Sequence, residues 1–147
     1  MAIQDDLKKQ LASQSSDGTA KIYHTISSTV TNGPTLLTAR LPSAAATTNA
    51  TVVKASAGRM TKVVAYNASA AVKFLKLYNK ATAPTVGTDV PVLTFTLKPA
   101  DSFNADFEDF GFQFATGISY ALTGLAADAD TTVLTAGDVV GLNIIYI

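Results

Sequence analysis

Past Arg59 the chain breaks into short runs of β-branched, aliphatic and aromatic residues separated by Gly, Pro, Asn and Asp, with no helix-length 3.6-residue period. The runs are RMTKVVAYN (59–67), AVKFLKLY (71–78), VPVLTFTL (90–97), GISYALTG (117–124) and DVVGLNIIYI (138–147). Within 90–97, Leu93, Phe95 and Leu97 alternate with Thr94 and Thr96, the period of a strand with one buried face, and Pro91 suits the start or edge of such a strand. Within 71–78, Lys73, Leu75 and Leu77 fall on one side and Phe74, Lys76 and Tyr78 on the other, so neither side is purely apolar. The short link Ala68-Ser69-Ala70 predicts a hairpin between 59–67 and 71–78. Parallel α/β folds need crossover helices, which are missing, and no fixed-period repeat points to a solenoid or propeller. The expected fold is therefore all-β, an antiparallel β-sandwich or jelly-roll-like barrel.

The first 58 residues read differently, as a short N-terminal helix followed by an extended arm. Ile3, Leu7 and Leu11 are spaced four apart, with Asp5 and Asp6 early and Lys8 and Lys9 later, an order that suits the dipole of a helix over 2–12. A helix this short is unstable alone in water and needs something to dock on. Residues 13–58 are rich in Ser, Thr and Ala and contain no Phe. Strand-like pieces at 20–26, 36–41 and 51–57 lie within them. Such a segment is β-prone but poor in bulky side chains, so it is expected to complete a structure elsewhere. The expected division is an arm over 1–58, with extended and edge-strand segments, and a β-domain over 59–147.

With 147 residues, the chain is large enough to bury one domain's core. Its 11 basic and 11 acidic side chains cancel, and only 15% of residues are charged, which argues against a phosphate-binding surface and hence against nucleic acid as a partner. There is no Cys and no Trp and only one His, which removes thiolate chemistry, disulfides and most metal sites. No run resembles a signal peptide or a membrane helix, so a soluble protein that is not exported by the usual route is expected. Low net charge favours association, and a permanent partner or self-assembly follows as the expectation.

No motif for phosphate, dinucleotide or zinc-protease chemistry is present. His24 has no assignable nucleophile beside it and reads as a partly exposed strand residue. Asp128, Asp130 and Asp138 could supply oxygen ligands to Ca²⁺, but the loop lacks the Gly and Glu of an EF-hand and reads as a solvated turn. Asp101, Asp106, Glu108 and Asp109 resemble the paired carboxylates of glycoside hydrolases, yet they interleave with Phe as the solvent face of a strand does. No enzyme, cofactor or metal is expected. Tyr66, Tyr78, Tyr120 and Tyr146 read as core-edge or interface residues that keep the hydroxyl wet. Residues 101–114, DSFNADFEDFGFQF, form the densest aromatic feature, either a core layer under a sheet or a partly exposed subunit interface. The candidate interface residues are Ile3, Leu7, Leu11, Phe103, Phe107, Phe110 and Tyr120.

Three stretches carry a resemblance: VVAYNASAAVKFLKLYNKATAPTVGTDVPVLTFTL, FGFQFATGISYALTGLAADAD and TAGDVVGLNIIYI. Together, over about residues 59–147, they resemble small virion structural proteins of tailed bacteriophages, in particular jelly-roll capsid cement or decoration proteins. The resemblance implies a structural role without catalysis. It implies the major capsid protein and further copies of the chain, as a dimer or trimer, as partners, and a place on the capsid exterior after assembly in the host cytoplasm. A tail, neck or fibre component, or a carbohydrate-binding module on the virion, are the alternatives.

Overall fold

Nine strands, all paired antiparallel, account for the regular structure of residues 34–147, which are the residues described by the computed structural model. In chain order they are β1 (Leu37–Ser43), β2 (Thr51–Lys54), β3 (Gly58–Asn67), β4 (Lys73–Asn79), β5 (Leu93–Leu97), β6 (Asp101–Asp106), β7 (Phe112–Phe114), β8 (Ile118–Thr123) and β9 (Val139–Tyr146). One sheet has the order β1-β9-β3-β6, with β7 continuing the β6 edge along β3; the other has the order β2-β8-β4-β5. Six of the eight connections therefore leave one sheet for the other, the exceptions being β4–β5 and β6–β7. This interleaving of two four-strand paths is the double Greek key of a jelly roll. The expected all-β sandwich is what the chain adopts. The helix expected over 2–12, the strand piece at 20–26 and His24 lie outside the described residues.

The segments at 37–43 and 51–54 are edge strands of the two sheets, β1 beside β9 and β2 beside β8. Their sparse apolar content fits that place, since an edge strand covers little core. The compact unit runs Gly33–Ile147. At the other end of the chain, Ile147 and Arg59 exchange both backbone hydrogen bonds at 2.9 and 3.0 Å, which ties the last residue to the start of β3.

The expected hairpin across Ala68-Ser69-Ala70 does not form, because β3 and β4 belong to opposite sheets. Asn67 explains the crossing. It is fully buried, its Nδ2 donates to the carbonyls of Ala71 and Leu97 at 2.9 Å, and its Oδ1 accepts from the Ser69 N–H and Oγ. All its side-chain capacity is used to hold the end of β3 against the end of β5 across the sandwich.

Two irregularities shape the central pair of the first sheet. Between Met60 and Lys62 β3 carries one residue more than β9, and between Val64 and Tyr66 the excess lies on β9. The first bulge changes the inward phase of β3, so Met60 and Val63, three apart, are both buried. The second contains Gly141 at φ +61°, and there Val139 and Leu142 are the buried pair. The core lies between the sheets and is built by Met60, Val63, Leu75, Leu77, Leu97, Phe114, Ile118, Tyr120, Leu122, Leu142 and Ile144. Leu134, from the β8–β9 connection, is buried with them.

Candidate functional site

The aromatic segment splits by parity and by a turn. Phe95, Phe103, Phe107, Phe112 and Phe114 form a continuous ladder, with successive ring centroids 5.1 to 6.3 Å apart in tilted or edge-on contact. Phe114 is fully buried, and Phe95, Phe103, Phe107 and Phe112 are half-buried against the core. Between β6 and β7 the chain leaves the ladder in a single 3-10 turn, Glu108–Phe110. There Phe110 stands 81% exposed. The core-layer reading therefore holds for Phe103 and Phe107, and a surface position holds for Phe110 alone.

Tyr120 requires a correction as an interface residue. It lies opposite Leu77 on β4 and Thr51 on β2, its parity is inward, and it is 4% exposed. Burial pushes its phenol up, and a hydrogen bond with the Thr51 side chain pulls the other way. Tyr78 is a second correction, since its hydroxyl is not wet. The residue is 1% exposed, and neither its hydroxyl nor that of Ser119, its direct cross-strand neighbour, has a hydrogen-bond partner among the described residues. Tyr66 is 41% exposed and Tyr146 half-buried. Ile3, Leu7 and Leu11 lie outside the described residues.

Tyr78 and Ser119 are buried although they point away from the core, because the outer face of the β2-β8-β4-β5 sheet is roofed by two loops. Residues 80–92 and 124–137 meet over it. A Cβ on Gly87 would stand 2.6 Å from Thr131 Cγ2 and 3.2 Å from the Ala129 carbonyl. Under the roof Lys76 is completely buried and donates to the Ala127 carbonyl, with Asp128 and Asp130 near enough to favour its charge. Desolvation prevails all the same, and the Lys76 ammonium titrates below its usual range.

The Asp128–Asp130 loop, read from sequence as a solvated turn, is thus organised around an ammonium from β4. The Asp130 carboxylate is engaged by the Leu125 N–H at 2.9 Å, the Thr132 N–H at 3.2 Å and Thr132 Oγ1 at 2.6 Å. Burial opposes its ionisation, but these bonds and the Lys76 charge outweigh burial and hold it below the ordinary carboxylate range. Among the described residues no three His, Cys, Asp or Glu side chains converge as metal ligands would. The second loop is braced by an ion pair between Lys80 and Asp89, whose carboxylate also accepts the Thr85 N–H at 2.6 Å.

Two carboxylates of the aromatic segment are engaged by neighbouring groups. Asp106 lies 3.3 Å from Lys62 on the neighbouring strand and accepts the Glu108 N–H at 3.0 Å. Asp101 accepts the adjacent Ser102 N–H. Surface pockets are shallow: one of about 310 Å³ is lined by Pro34, Lys54, Ala57, Arg59, Gln113 and Ile147, and another of about 230 Å³ lies beside Tyr78, Lys80 and Asp89. No helix among the described residues is long and apolar enough to cross a membrane.

The arrangement offers contact surfaces, two sheet edges on each layer and a projecting phenylalanine, rather than a converging set of reactive groups. The sequence reading did not foresee Lys76 as the centre of a loop, since a strand lysine ordinarily reads as solvent-facing. No protein-family model, no curated protein and no solved structure matches the chain.

Proposed function

We propose that this chain is a capsid cement or decoration protein of a tailed bacteriophage. In this reading it binds the outside of the major capsid protein shell, as a homodimer or homotrimer, and stabilises the head through many weak contacts made at once. It carries out no reaction and needs no cofactor. It works in the virion after assembly in the host cytoplasm, with neither nucleic acid nor membrane as a partner.

The observation that carries the reading is the strand order, β1-β9-β3-β6 against β2-β8-β4-β5, which agrees with the jelly-roll fold implied by the sequence resemblance. Asp130 and the buried Lys76 are engaged in holding a loop, which fits a protein whose work is to be bound. Standard interfaces bury about 1,600 Å² in total, and a shell-wide lattice of smaller ones gains strength through effective concentration. Leu37–Ser43 and Thr51–Lys54, which fall within the arm expected over 1–58, are built into the sheets as edge strands. Burial of Tyr78 and Tyr120 weighs against the carbohydrate-binding alternative, which keeps only Tyr66 and Phe110 as exposed rings among its candidate aromatics.

The test is co-sedimentation of the purified protein with emptied, expanded heads of the cognate phage, with isolated tails in parallel. Saturable binding to heads at a fixed ratio to the shell subunit is expected, and loss of that binding when residues 1–20 are deleted. Retention by tails alone moves the function to the tail, neck or fibre and overturns the cement reading.

A further inference from the structure

Phe110 is an exposed aromatic on a turn that the surrounding structure works to maintain. Glu108, the first residue of the turn, has φ +54°, a left-handed conformation that a residue with a Cβ adopts only under strain. Three hydrogen bonds hold it there: the Glu108 N–H to Asp106 Oδ1 at 3.0 Å, Arg59 Nη1 to the Phe110 carbonyl at 3.2 Å, and the Gly111 N–H to the Phe107 carbonyl at 3.3 Å. The product of this bracing is a phenyl ring 81% in water, while the other phenylalanines of the segment all pack on the core. A braced, strained turn that presents an aromatic is the form of an interface anchor.

The surroundings of the ring say what it fits. The exposed Glu108 sets a carboxylate beside the ring, while Asp106 is already paired with Lys62 at 3.3 Å, so an apolar hollow with a cation on its rim suits the knob. The same face of the chain holds one. The pocket of about 310 Å³ has Pro34, Ala57 and Ile147 for walls and Lys54 and Arg59 on its border. Arg59 touches both features, since it lines the pocket and bonds the Phe110 carbonyl. With Arg59 shared by the knob and the pocket, a two-fold axis near Arg59 would set each copy's Phe110 against the other copy's pocket. Each copy then supplies a knob and receives one, the self-complementary pattern of a two-fold interface.

We propose that Phe110 anchors a homodimer by entering the pocket bordered by Lys54, Ala57 and Arg59 of a second copy, with Glu108 of each chain facing Lys54 of the other. The dimer rests on the self-association named in the proposed function, and it is tested in the purified protein with no head present, so its failure is distinguishable from a failure to bind heads.

Sedimentation of the full chain over a range of concentrations tests it, with circular dichroism to establish that each variant folds. The wild-type protein is expected to sediment as a dimer. Phe110→Ala and Ala57→Trp, the second filling the pocket from an exposed position, are each expected to raise the dimer dissociation constant more than about tenfold. Lys54→Glu alone and Glu108→Lys alone are expected to weaken the dimer, and the two together to restore it. A wild-type monomer at all concentrations, or a dimer unmoved by Phe110→Ala, overturns the proposal. A dimer that responds to Phe110→Ala but to neither Ala57→Trp nor the charge exchange overturns the pocket as the receptor.

Discussion

The Lys73 ammonium lies 2.8 Å from an Asp138 carboxylate oxygen, and the two residues belong to opposite sheets, Lys73 opening β4 and Asp138 leading into β9. Both side chains are largely buried, at 14% and 12% exposure. Asp138 also accepts the Thr135 N–H at 2.8 Å, and the Ala68 N–H bonds the Asp138 carbonyl, so the pair sits where the β3–β4 and β8–β9 connections converge.

Removing one partner of such a pair leaves a buried charge without compensation. Asp138→Asn is expected to lower unfolding free energy at neutral pH by about 3 kcal/mol in urea titrations. Burial works against the Asp138 carboxylate, but the Lys73 hydrogen bond, the Thr135 N–H and the Lys73 charge outweigh burial and hold it below its ordinary 3.8. A depressed carboxylate contributes stability that is full above its unfolded value and is lost as pH falls through the folded one. Wild-type stability is therefore expected to fall below pH about 4, and the Asp138→Asn protein to fall less steeply over the same range. An equally steep fall in the variant would remove Asp138 from the acid response.

Tyr78→Phe is expected to stabilise the protein. The hydroxyl is buried without a partner, so its removal relieves a desolvation penalty of about 1 kcal/mol while the ring stays in place. The same burial, helped by Asp89 and Asp128, raises the Tyr78 phenol from 10.0 to about 12. A raised phenol contributes stability that is full below 10.0 and is lost as pH rises through about 12. Denaturant midpoints should accordingly rise at pH 7 in the variant and decline less between pH 10 and 12 than in the wild type. A lower midpoint at pH 7 would mean that the hydroxyl is satisfied.

Gly87 and Gly141 separate backbone strain from collision. Gly141→Ala puts a Cβ at φ +61° into open space and is expected to cost about 1 kcal/mol. Gly87→Ala has φ +86° and also drives a Cβ to 2.6 Å from Thr131 Cγ2, so a loss of more than about 2 kcal/mol is expected, with faster amide exchange in 124–137. Adding Thr131→Ser deletes the obstructing methyl and should return part of that loss. Equal losses for the two alanines would show that the loops do not press on one another.

The strands that the sequence revealed most clearly are those with one wet face. In β5, Thr94 and Thr96 are exposed while Leu97 is fully buried, so composition and period agree. In β4 they disagree, because the roofing loops bury Lys76 and Tyr78 as thoroughly as the core buries Leu75 and Leu77. Hydrophobic patterning registers burial in oil, not burial under a polar loop. The turn after Asn67 was legible as a turn, but local residues do not state which sheet the next strand joins. That depended on Asn67 reaching Leu97, thirty positions away. Phe110 could not be told from its neighbours by type or spacing; only the 3-10 turn, which breaks the alternation, turns it out of the ladder.

Strand β1 pairs with β9, so Leu37 meets Tyr146 and the first described strand closes on the last. Contacts between such distant positions reward the chain only after a very large loop has closed, and a topology built on them folds over milliseconds to seconds rather than microseconds. The same separation lengthens the route back, because the β1–β9 seam and both edges of β3 must part before the sandwich opens. Durability of this protein is then a matter of rate as much as of equilibrium, measured by how long the folded chain survives under load.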